Sequence, residues 1–392
     1  MALPLSYNWR NLFVRKTTTL LTVLVIAAVA GVLTWMWGFA GALRRSLAVA
    51  GDPHTLIIIK NGATSESNSA VSIEDYNKLS QLSDIAHDAA GEILQSPEMM
   101  VQVSLPRVRD QGRTFANVAV RGVTFAAFKV HRNVRPLGAV FGTGVPEVIV
   151  GQAAAQQFDI KIGDTLSLGY GGDRGYKVVG LFSADGGPLE SEIWGYLPAL
   201  MNSYNRTMYS SANLLLTPGT DPQHTVEQIK GPAIQLTAIP EPEYWQSQAA
   251  FIRVYLRIAY ALVGIMGVAA IFSIANTMFS SVAGRTREIA MLRTIGFGGR
   301  QILLGFLIEA VFLALMGGAL GCLGCAAWLR FVGSTKDMFG ATTFTTLAFQ
   351  IRLTPMIIAG ALLAVSAVGM LGALFPARRA ARVQVVAALR EP

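Results

Sequence analysis

Four runs of this 392-residue sequence are almost free of charge, and each is long enough to cross a bilayer. Residues 17–43 and 258–284 hold no charged side chain, 353–377 holds none, and 301–329 holds only Glu309. About 20 apolar residues rising 1.5 Å each cover a hydrocarbon core of roughly 30 Å, so all four runs are predicted to span a membrane as helices. A mean hydropathy of +0.44 and 52% hydrophobic residues agree with that reading and exclude an ordinary soluble chain. The first run is too long for the apolar core of a cleavable signal peptide.

Between the first and second runs lies an excursion, 44–257, with a different composition. It carries 18 Lys and Arg against 20 Asp and Glu, whereas the rest of the chain carries 14 against 4. The overall charge of +8 therefore belongs to the membrane flanks. A basic groove with interleaved aromatics is missing, which argues against nucleic-acid binding. Alternating and helical periodicities predict strands at 54–60, 99–109, 115–123, 212–216 and 233–239. Helices are predicted at 72–82 and 221–230, with a turn at Gly112 and Arg113. After Pro240 and Pro242 a stalk helix over 243–257 is expected to run straight into the second span. The predicted fold class is an α+β membrane protein: four transmembrane helices with a large mixed α/β extracytoplasmic domain between helices 1 and 2.

The ends and connections complete the domain plan. Leu5, Trp9, Leu12 and Phe13 recur at helical spacing beside Arg10, Arg15 and Lys16, predicting a cytosolic amphipathic helix over 1–16. The spans are joined by a connector over 285–300 and an outer loop over 330–352, and the chain ends in a tail over 378–392. The short inner segments hold 3, 4 and 4 Lys and Arg, against 3 in the outer loop. With four spans both termini lie on one side, expected to be the cytosol of a cell inner (plasma) membrane.

The connector reads Arg285-Thr-Arg-Glu-Ile-Ala-Met-Leu-Arg-Thr-Ile-Gly296. Ile289, Leu292 and Ile295 form one apolar stripe, while Arg285, Glu288 and Arg293 lie elsewhere on the helical wheel. Gly296 supplies the stop. Such a helix is either a tether between two spans or a docking point for a cytosolic protein. Glu309, about two and a half turns past Arg300, is expected to be hydrogen-bonded to a neighbour such as Asn276 or Thr277. A proton relay or substrate contact is the alternative. Cys322 and Cys325, set among Gly317, Gly318, Gly321 and Gly324, suit close helix packing rather than zinc or redox chemistry. His54, His87, His131 and His224 show no ligand spacing and are expected to be solvated or locally bonded. No phosphate-binding loop, metalloprotease or hydrolase motif occurs, so neither a catalytic centre nor a cofactor is expected.

The connector resembles the R-x-x-E-I-[GA]-x-L-R-A-I-G signature of the FtsX-like permease family, the membrane subunits of MacB-type ABC systems. Residues 146–182, with their strand, helix, I-G-D turn and V-V-G strand, resemble the MacB-like periplasmic core. The tail resembles the family's C-terminal motif at Pro376, Ala377, Arg379, Ala380, Ala387, Leu389 and Arg390, with Val385 or its neighbour where a second proline is expected. The resemblance implies a permease subunit, not an enzyme, that carries ATPase-driven motion to the outer domain for export or extraction of envelope substrates. It makes Arg285, Glu288, Ile289, Leu292, Arg293, Ile295 and Gly296 the coupling residues. It further implies a separate cytosolic ABC ATPase that binds the ATP, a homodimer or heterodimer of permeases, contact with membrane lipids, and a place for a periplasmic adaptor and an outer-membrane duct. The alternative within the family is a signalling subunit that activates an envelope hydrolase.

Overall fold

The structure, a computed structural model, describes residues 16–106, 115–172, 174–332, 351 and 353–383. The expected surface helix before Lys16, the turn at Gly112 and Arg113, Leu389 and Arg390 lie outside these residues. In chain order the elements are α1 Lys16–Ala48, β1 Thr55–Lys60, α2 Ile73–Leu79, β2 Gln95–Pro106, β3 Phe115–Val123, α3 Ala127–Val130, β4 Arg135–Gly138, β5 Glu147–Gly151, α4 Gln152–Phe158, β6 Thr165–Leu168, β7 Arg174–Ser183, β8 Glu192–Tyr196, α5 Leu197–Ser203, β9 Ser211–Leu215, α6 Pro222–Lys230, β10 Leu236–Pro240, α7 Glu241–Gln248, α8 Ala250–Gly284, α9 Thr286–Thr294, α10 Gly299–Val332 and α11 Pro355–Ala381. They form two units, one holding the long apolar helices and the other the residues described between 42 and 251.

The second unit is built on one ten-stranded sheet in the order β10-β1-β9-β2-β3-β8-β5-β7-β4, with β6 paired to β7. Pairs β3/β8 and β5/β7 are parallel and the rest antiparallel, a mixed sheet that needs helical crossovers for its parallel pairs. Helix α4 supplies one, leaving β5 and burying Ala154, Ala155 and Phe158 against Val148, Val150 and Val178. Local chemistry sets the helix starts. The Ser72 hydroxyl accepts from the Asp75 amide at 3.0 Å, and Asp221 accepts from the Gln223 amide at 3.0 Å with Pro222 in the first turn of α6. Strand β8 has no alternation to betray it, because Glu192, Ile193, Trp194 and Gly195 are all buried at the centre of the sheet.

Among the described residues four helices, Thr19–Ala48, Arg253–Gly284, Gly299–Phe331 and Pro355–Ala381, are long and apolar enough to cross a membrane. Small residues let α1, α10 and α11 approach closely. A Cβ on Gly321 would collide with the Ala27 carbonyl oxygen, one on Gly317 would lie 2.7 Å from Ile26, and one on Gly369 would lie 2.8 Å from Ala314. The Thr22 and Thr277 hydroxyls pair at 2.5 Å.

The expected stalk is corrected. Helix begins at Glu241, and α7 and α8 meet at Ala249 instead of running as one element from 243. Tyr244 and Trp245 of α7 are claimed by the sheet unit's core beside Trp194 and Phe182, which ties that short helix to the sheet.

Candidate coupling site

The connector folds as α9, and its ends are set by backbone chemistry. At its C-terminus the Phe297 amide donates to the Leu292 carbonyl at 3.1 Å and the Gly296 amide to the Arg293 carbonyl at 3.2 Å. Gly296 takes φ +104° to close this Schellman cap. The following helix starts at once, with the Gln301 side chain accepting from the Gly298 amide at 2.9 Å. A tight double cap of this kind holds α9 in one orientation against the start of α10.

The apolar stripe divides in two. Ile289 is 3% exposed and packs with Val282, Ile302, Phe306, Ala377 and Ala380, whereas Leu292 is half-buried and Ile295 is 76% exposed. Met291, which the wheel reading omitted, is also exposed. Among the charges, Glu288 is exposed, but Arg285 turns inward and grips Glu309 with both terminal nitrogens, at 3.0 and 3.3 Å. The expected partners of Glu309, Asn276 and Thr277, are thereby corrected, since Thr277 bonds Thr22. Arg285 lies just before α9 and Glu309 on α10, so a bidentate pair clamps the connector to the bundle. Glu309 is buried, and the guanidinium lowers the cost of placing a carboxylate there.

Arg293 makes the third anchor, donating to the Val383 carbonyl at 2.6 Å. Gly299 lies so close to the end of α11 that a Cβ would sit 2.8 Å from the Ala381 carbonyl oxygen. Pro376 and Ala377 are buried in α11, and Arg379 is exposed. Connector and C-terminal motif, 80 or more residues apart in sequence, thus form one junction. Cys322 and Cys325 are free thiols, and Cys322 lies 3.3 Å from the Thr34 hydroxyl. Among the described residues no cluster of His, Cys, Asp and Glu could hold a metal ion.

Residues 17–231 match the model of the MacB-like periplasmic core domain, and residues 260–385 match that of the FtsX-like permease C-terminal region. The chain belongs to the FtsX-like permease family of MacB type. That family is one of ABC transporter permeases, and the four apolar helices with the periplasmic-core match fit a multi-pass membrane protein with an extracytoplasmic domain. Over 114 residues it is 35% identical to the macrolide export ATP-binding/permease protein MacB 1 of Yersinia pestis bv. Antiqua, covering 29% of this chain and 16% of that protein. Over 117 residues it is 37% identical to the ABC transporter permease YvrN of Bacillus subtilis, covering 29% of this chain and 25% of that one. Among solved structures, the periplasmic region of MacB from Actinobacillus actinomycetemcomitans matches at 13% identity and a TM-score of 0.37, covering 53% of this chain and 98% of that one.

The permease's sheet unit contains a charged centre that the sequence reading missed. Arg121, near the C-terminal end of β3, donates to Glu66 at 2.8 and 2.9 Å, to Glu98 at 2.7 Å and to Glu192 at 2.7 and 2.9 Å. His131 Nε2 lies 2.9 Å from Glu98, and its Nδ1 lies 3.3 Å from Glu241. All six side chains are buried, so His131 departs from the expectation of a solvated or locally bonded histidine. Burial works against its charged form, yet Glu98 and Glu241 raise it to about 10. Burial likewise opposes the Glu98 carboxylate, and His131 with Arg121 holds it down to about 2. Burial raises Glu192, against the pull of Arg121. The one sequence signal was an arginine inside the apolar run Ala-Asn-Val-Ala-Val-Arg121-Gly-Val, where alternation alone could not supply its partners.

Proposed function

We propose that this permease receives the work of a cytosolic ABC ATPase at α9 and passes it to the extracytoplasmic domain, for export or extraction of envelope substrates. The observation that carries the reading is the division of the connector. One face is fastened by Ile289, the Arg285–Glu309 pair and the Arg293–Val383 bond, while Met291, Leu292 and Ile295 stand on the other. A lever needs both a rigid attachment and an apolar contact for the motor, and a bare tether needs neither. ATP is bound by the ATPase partner in this scheme. Both termini face the cytosol, and two permease subunits work together, with a periplasmic adaptor and an outer-membrane duct where the substrate must leave the envelope.

Ile295→Asp and Leu292→Asp test this. Position 295 is open to solvent, so the first variant is expected to fold and insert like the wild type. It should lose co-purification of the ATPase because a carboxylate would enter an apolar contact, commonly a loss of about 2 kcal/mol or more. The second should lose both co-purification and substrate handling. Unchanged ATPase capture by both variants would leave the connector a tether.

A further inference from the structure

A cleft of about 1320 Å³ opens in the sheet unit, lined on one side by Val101, Gln102, Val103 and Ser104 of β2. Strand β2 pairs with β9 over Gln95–Glu98 and with β3 over Met99–Pro106, so past Glu98 its β9 side has no strand partner among the described residues. The Met100 amide donates to the Ser210 hydroxyl at 2.9 Å, and that hydroxyl donates to the Met100 carbonyl at 3.2 Å. The main-chain groups of Met100 therefore face away from β3. With unbroken register from Met99 to Pro106, those of Gln102 and Ser104 face the same way. Ser210 closes this edge at one end. At the other, Pro106 has no N–H to offer. Among the described residues, what stays open is a window of two amides and two carbonyls at strand spacing, and it lies in the cleft.

The geometry points to this cleft as a docking site for an extended peptide segment with neutral or acidic side chains, which adds to β2 as a strand. Main-chain pairing holds the peptide and fixes its register, while the cleft accepts alternate side chains. Edge strands are ordinarily blunted by charge, proline or cover, and here Ser210 and Pro106 blunt β2 on either side of the window while leaving it open. Arg206 is the only charged side chain among the described lining residues, so the wall repels a cationic segment and favours a carboxylate. Tyr170, 76% exposed, offers an aromatic face to the peptide. The inference holds whether the chain exports, extracts or signals.

The test uses the full chain in lipid nanodiscs, with a displayed library of random nonapeptides as probe and anisotropy of the best labelled peptide as readout. Gln102→Pro removes an outward amide and spares the β2–β3 ladder, and it is expected to weaken binding tenfold or more. Gln102→Ala changes only the side chain and should stay within threefold of the wild type. N-methylation along the peptide should weaken binding at alternate residues only, and this arm carries the test by itself if Gln102→Pro fails to fold. The proposal is overturned if no peptide is enriched over empty nanodiscs, if binding ignores Gln102→Pro, or if Gln102→Ala is as damaging. Self-association of the chain through this edge without peptide binding would assign the window to a second copy and overturn it as well.

Discussion

At the scale of single residues, His131 and Arg285 make the same point from two units: a charge placed in an apolar setting is informative through its partner. His131 keeps its proton to about pH 10 against an ordinary 6.5, so it contributes stability that is complete below about pH 6.5 and is lost as pH rises toward 10. Glu98, at about 2 instead of 4.5, contributes above pH 4.5 and loses that contribution as pH falls toward 2. Glu192, raised by burial, works in the opposite direction to Glu98 and gives up stability as pH rises through its elevated pKa. The melting temperature is therefore expected to fall between pH 6.5 and 10, and His131→Gln should flatten this alkaline limb. At pH 6.5 the variant should be less stable by about 3 kcal/mol, because one partner of a buried charged pair is gone. Thermal unfolding at several pH values checks both, and parallel wild-type and variant curves would remove His131 as the titrating group.

At the scale of elements, the helix contacts rest on small residues. Gly31, Gly317 and Gly321 bring α1 and α10 together, and Cys322 lies in the same seam. The thiol's contact is with Thr34, whose hydroxyl also donates to the Ala30 carbonyl at 2.7 Å and so keeps a partner without it. Replacing Cys322 and Cys325 together by Ala is expected to leave assembly and transport within about twofold of the wild type, a change of under about 0.5 kcal/mol. Transport assays on the paired variant check this, and loss of activity with retained assembly would give the thiols a chemical role. The connector belongs to this scale too. Its cap at Gly296 and its stripe were legible from spacing, but which side of the stripe is buried depends on α10 and α11.

At the scale of the whole molecule, the sheet unit has its own cores and its own buried ion centre. Met99, Val148, Phe158 and Ile193 anchor one core, and Trp194, Tyr244 and Trp245 anchor a second. Residues 46–250 expressed alone are expected to give a soluble product that unfolds in one cooperative transition, measurable by circular dichroism in urea. Persistent aggregation would mean that the sheet needs the membrane helices to fold.

By itself the sequence determined what periodicity and solvent dictate. Runs without charge had to become helices in lipid, where backbone groups can be satisfied only internally. Alternation over 115–123 had to become a strand, and the R-T-R-E-I-A-M-L-R-T-I-G string carried the family. The tertiary structure decided every question of partnership: that Arg285 meets Glu309, that Arg293 reaches Val383, and that Arg121 gathers Glu66, Glu98 and Glu192 from segments up to 71 residues away. It also decided the order of the strands, and with it the open edge of β2. Local pattern records which face a residue turns inward, but a charge inside is tolerated only where distant segments deliver its counter-charge, and that delivery is a property of the assembled fold.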